Sequence, residues 1–125
     1  PVDPGLVAVF GRVGRSNLGA ALETAVLIEL ERRGCEVAYV RTREGYEVDF
    51  LARDPAGEWS LLQVCADLAD VATREREVRA LLSATADHPY ATPLLISLDA
   101  VPPQPELPSP VRWQPAVSWL MGYAE

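Results

Sequence analysis

Two neighbouring stretches hold the residue types that could do chemistry. In "YEVDFLAR" the acid Asp49 sits in an otherwise apolar run, and in "WSLLQVCADL" Gln63 and Cys65 stand two residues apart. An acid on one strand, followed by an acid and a cation at alternate positions of the next, suits metal-dependent phosphodiester hydrolysis. Oxygen ligands hold a divalent ion, and the cation steadies the attacking water and the charge that develops in the transition state. In this chain the second acid position is the neutral amide Gln63, and the cation position is the thiol Cys65. All eleven basic residues are arginine, so no lysine of this chain can serve.

Side chains alternate across a strand. Asp49 is therefore expected to share a face with Glu47 and Leu51, with Val48 and Phe50 on the other; Leu61, Gln63 and Cys65 share a face of their own strand. An arginine such as Arg41 or Arg43 is the ordinary structural partner for Asp49, and a buried amide bonded to backbone is the ordinary role for Gln63. Cys65 as a nucleophile would need a base beside it, and the single histidine, His88, stands apart in "ADHPY". Cys35 and Cys65 lie in apolar runs and read as buried free thiols. With one histidine, they cannot complete a four-ligand zinc site.

Elements that could position these residues follow from pattern. "SNLGAALETAVLIELERRG" has a capping residue in Ser16 or Asn17, good helix formers, arginines in the last turn and Gly34 beyond it, predicting a helix over about 17–33. Strands are expected near 36–42, 46–53 and 59–66, the first two joined by "REG" and the next by "DPAGE". "DVATREREVRALLSATA" predicts a second helix, capped by Asp70 or Thr73, with Val78, Leu81 and Leu82 as its apolar stripe. "TPLLISL" reads as a strand near 93–98 covered on both faces. The proline-rich "VPPQPELPSP" excludes regular structure, and "VRWQPAVSWLMGY" closes as a strand end and a short helix anchored by Trp113 and Trp119. The first fifteen residues read as an irregular lead-in around "LVAVF". The helix between the third and fourth strands permits a crossover, so a mixed sheet flanked by helices is expected.

The chain of 125 residues is the size of one domain. Its net charge of −7 argues against gripping nucleic acid through bulk charge. Any contact with a phosphate or an acidic partner would have to use a local group: Arg12 and Arg15 before the first helix, Arg41 and Arg43, or Arg74, Arg76 and Arg79 in "TREREVR". There is no long apolar span and no basic-then-apolar leader, so no membrane partner is expected, and the free thiols suit a reducing cytoplasm.

"DPGL", "LGAALETAVLIELERRG", "VRTREGYEVDFL", "LLQVCADLADVATREREVRALLSA" and "WQPAVSWLMG", taken as a series, resemble one family. It is the C-terminal domain of unknown function carried by many bacterial and archaeal AAA-type ATPases, in the PD-(D/E)xK, restriction-endonuclease-like superfamily. The resemblance implies an α/β three-layer sandwich in αβββαβ order. It places the superfamily's helix acid on Glu23, its strand acid on Asp49, and its Glu-x-Lys pair on Gln63 and Cys65. Glu23, Asp49 and Gln63 would then be the ligands of a Mg or Mn ion if the site were active, and Arg41 or Arg43 would have to replace the missing lysine. The family's ATPase module is implied as a partner, in addition to a protein partner or a second copy; its ATP site is not in this chain, which has no phosphate-binding Gly-x-x-x-x-Gly-Lys motif.

Overall fold

The computed structural model describes residues 17–122, which leaves Arg12 and Arg15 outside the described residues. Helix α1 spans Leu18–Arg32 and ends where Gly34 takes up φ of 78°, a left-handed turn that costs a glycine nothing. The Gly34 and Cys35 amides then bond back to the Glu31 and Leu30 carbonyls, closing the helix end and aiming the chain into the sheet. Strands β1 (Glu36–Arg41), β2 (Glu47–Arg53) and β3 (Trp59–Cys65) follow as two antiparallel pairs. Helix α2 (Val71–Asp87) begins with the Asp70 carboxylate accepting the Thr73 N–H at 3.2 Å, the expected cap. It crosses to β4 (Thr92–Ser97), which lies parallel to β3. The proline-rich segment leads to a fifth strand, β5 (Arg112–Pro115), parallel to β4, and to the short helix α3 (Ala116–Met121).

The result is an α/β fold with one open mixed sheet in the order β1-β2-β3-β4-β5. The expectation of four strands falls short by one, because "RWQP" completes a strand of its own rather than the end of one. Two apolar clusters cover the sheet. Leu22, Ala25, Val26 and Leu30 of α1, with Trp119 and Leu120 of α3, pack on Phe50, Ala52, Leu62 and Ile96. On the other face Val78, Leu81 and Ala84 of α2 pack on Leu51, Leu61 and Leu95. The alternation of faces in β2, β3 and β4 is what allows one strand to feed both clusters.

Polar ties hold the periphery. Glu29 is buried on α1, yet it receives Arg32 and Arg33, at 2.7 and 2.6 Å. These bonds, Arg32's first, outweigh desolvation and keep its carboxyl below the usual range. The Arg33 guanidinium also lies 4.3 Å from the centre of the Trp119 ring and donates to the Trp119 carbonyl, fastening α3 to α1. At the far end of β4, Asp99 accepts from Ser97 Oγ and the Leu68 N–H, and Ser97 Oγ accepts from Trp113 Nε1. Trp113 and Trp119 are both anchors, as their positions in the sequence suggest.

Replacing Glu29 by Gln takes the counter-charge from Arg33, which is partly buried, and from Arg32, which is half exposed. Urea denaturation is expected to show a loss of about 1–2 kcal/mol, with tryptophan fluorescence reporting the freeing of α3.

Candidate functional site

The register of the first hairpin explains where Asp49 goes. Ala38 pairs with Leu51, but Val40 pairs with Val48, so Tyr39 alone stands opposite both Asp49 and Phe50. β2 therefore carries one extra residue, a β-bulge, and the simple alternation expected from sequence fails there. Phe50 belongs to the cluster under α1, whereas Val48 belongs with Leu51 to the cluster under α2. The hairpin beyond the bulge bends over α2: the Arg43 N–H bonds Asp87 at 2.9 Å, and Ser83 Oγ donates to Glu44 at 2.8 Å.

A bulge leaves peptide groups without ladder partners, and here two side chains supply them. β2 and β3 are in register from Arg53 opposite Trp59 to Phe50 opposite Leu62, and no further. Beyond that point Gln63 Oε1 accepts the Asp49 N–H at 2.8 Å, while Gln63 Nε2 donates to the Glu47 carbonyl at 3.3 Å. In return, Asp49 Oδ2 accepts the Val64 N–H at 2.8 Å. Gln63 is only 5% exposed, and its amide offers the same donor and acceptor as a peptide unit. The two candidate metal ligands are thus engaged in splicing β2 to β3.

Glu23 on α1, Glu77 on α2 and Glu47 on β2 all raise the pKa of Asp49 through space, behind the larger effect of burial; the Val64 N–H opposes them only in part. Its pKa is pushed up to about 7. Glu77 was not singled out from sequence, although it precedes Leu81 by one turn and so borders the apolar stripe of α2. Burial raises its pKa too, against a hydrogen bond from Gln63 and the guanidinium of Arg76, whose Nε lies 3.6 Å from its carboxylate.

Acids from both helices thus act on Asp49 through space, yet among the described residues no three His, Cys, Asp or Glu side chains form a group that could hold a metal ion. The Mg or Mn implied by the family resemblance does not fit these residues as they stand. Asp49 Oδ2 and Gln63 Oε1 already serve backbone donors, and no arginine is bonded to Asp49 among the described residues. Arg41 is exposed on the outermost strand, and Arg43 turns to Asp87, its Nε 3.9 Å from the carboxylate. Cys65 donates to the Asp67 carbonyl at 3.1 Å, and burial raises its pKa, with Glu77, Asp99 and Asp67 adding to the effect. It is a protonated thiol in an acidic setting, the reverse of an activated nucleophile. His88 lies at the end of α2 and pairs with the Tyr90 hydroxyl.

The arginines of α2 do not form a free basic face. Arg74 donates to the Gln104 carbonyl at 2.8 Å, Arg76 lies against Glu77, and Arg74 and Arg79 line an open groove of about 340 Å³ with Glu75, Glu106 and Leu107. Comparisons of this chain with protein-family models, with curated proteins and with solved structures found no match.

A carboxyl whose folded pKa is raised stabilises the fold fully below its unfolded value, near 4, and loses that contribution as pH rises through about 7. Asn in place of Asp49 keeps an oxygen for the Val64 N–H and escapes the loss. Its melting temperature is expected to equal the parent's at pH 4 and to exceed it at pH 8 by the equivalent of about 2 kcal/mol, half the full linkage value because Asp49 is partly exposed. Equal differences at both pH values would contradict the burial of this carboxyl.

Proposed function

We propose that this chain is an accessory, non-catalytic domain of the restriction-endonuclease-like type, borne in its parent protein by an AAA-type ATPase. In this reading the ancestral metal pocket has become a structural splice. The observation that carries it is the pair of side-chain bridges at the bulge, in which Asp49 and Gln63 give their oxygens to the Val64 and Asp49 amides. A cation here would have to share these oxygens with buried backbone donors, and the neutral Gln63 brings no charge to hold it.

The element order and the helices on both faces of a mixed sheet support the fold assignment. Asp49 and Gln63 are bonded at the bulge and Glu23 acts on Asp49 through space, although Gln63 and Cys65 depart from the catalytic pattern. A missing acid and a missing lysine remove several kcal/mol of transition-state stabilisation, at about 1.4 kcal/mol per factor of ten. Arg41 and Arg43 do not restore it from where they sit. The work left to such a domain is docking, to its own ATPase module or a protein partner, with nucleic acid bound weakly if at all.

The purified domain, with Mg or Mn, is expected to leave DNA and RNA uncut and to release duplex DNA at about 0.15 M salt. Metal-dependent cleavage that disappears in Asp49→Ala would overturn this reading.

A further inference from the structure

β1 is the outermost strand of the sheet, and its far edge has no partner among the described residues. The Thr42 N–H bonds the Tyr46 carbonyl at 2.8 Å across the hairpin, so even-numbered residues of β1 turn their peptide groups toward β2. The extra residue of the bulge is on β2, which leaves β1 itself regular. Val37, Tyr39 and Arg41 therefore turn their N–H and C=O groups outward.

Nothing in β1 guards this edge. "EVAYVR" contains no proline, glycine or bulge, whereas the opposite edge, β5, is four residues long and ends in Pro115. Val40 is buried and Val37 partly buried, while Glu36 and Ala38 on one side and Tyr39 and Arg41 on the other are exposed. Tyr39 is 75% exposed, and its ring meets only the tilted edge of Phe50, 5.9 Å away between centres.

We propose that this edge is where a second copy of the chain docks, β1 against β1 antiparallel about a two-fold axis at Tyr39. The three outward residues are spaced evenly about Tyr39, so the axis sets Tyr39 opposite its own copy and Val37 opposite Arg41 at both ends. Every free peptide group of the edge is then used, a match that a second copy provides automatically because an isologous contact is self-complementary. The two tyrosine rings meet on the α1 face, and Ala38 gains the Val40 of the other copy on the α2 face. One strand pair buries little area, so the association is weak, with Kd on the order of 10–100 μM.

Light scattering and sedimentation of the full 125-residue chain, over a concentration series, test this. The mass is expected to rise from that of one chain toward that of two. Tyr39→Glu, which sets two carboxylates face to face on the axis, is expected to weaken the dimer at least about tenfold with circular dichroism and melting unchanged. A Tyr39→Cys variant is expected to form a disulfide to its own copy under mild oxidation, identified by mass spectrometry, because facing residues of an antiparallel pair lie within disulfide reach. Val117→Cys, an equally accessible site on α3, is expected not to. A chain that stays monomeric at millimolar concentration overturns the proposal, as does a dimer indifferent to Tyr39→Glu. A full chain that dimerises only once residues 1–16 are removed assigns the edge to that leading segment and overturns it equally.

Discussion

The amide of Gln63 stands in for a peptide bond, and the shape of the sheet depends on it. A β-bulge at Asp49 turns one N–H and one C=O of β2 toward β3 where no backbone group meets them. Buried peptide groups without partners cost about 1–3 kcal/mol each, so a bulge in a central strand survives only if something answers both. Glutamine answers both because it carries a donor and an acceptor on one planar group. An ionised glutamate in its place could accept from Asp49 but could not donate to Glu47.

The rest of the arrangement follows from the bend that this splice permits. Val48 moves to the α2 face, the hairpin tip folds down to Ser83 and Asp87, and the sheet gains cover for the α2 cluster that a flat hairpin would not reach. The same bend draws Asp49 into apolar surroundings within the influence of Glu23 and Glu77, one from each helical layer. Asp49 thus stands where further negative charge is least welcome. Burial holds Asp49 near half-ionised at neutral pH, where a working metal ligand would be fully charged.

Much of the fold was legible in the residues. Helix α1 was marked by its formers and by Gly34, and α2 by Asp70; the covered strand β4 showed in its unbroken apolar run. What was not legible depends on pairing across long separations. Nothing local in "EVDFLAR" announces a bulge, because the signal is the register against β1: Val48 and Leu51, three apart, reach the same face. β5 was hidden because four residues after a run of prolines have too little pattern to read. Glu77 was hidden among the alternating charges of "TREREVR", which look solvated until the helix is laid on the sheet. Glu23, Asp49 and Gln63 were singled out by resemblance; that Asp49 and Gln63 serve as backbone partners needed the hydrogen bonds to be seen.

Whether Gln63 is there for its amide is asked by Gln63→Glu, which changes one atom and supplies the acid that the proposed resemblance would place there. Equilibrium unfolding in urea at pH 8, with metal-dependent cleavage assayed on the same samples, reads both sides. The splice predicts a loss on the order of 2–4 kcal/mol, from an unanswered Glu47 carbonyl and a further buried carboxylate beside Asp49 and Glu77, with no cleavage gained. Unchanged stability together with Mg- or Mn-dependent cleavage would show that the position remains a ligand site, and would contradict it.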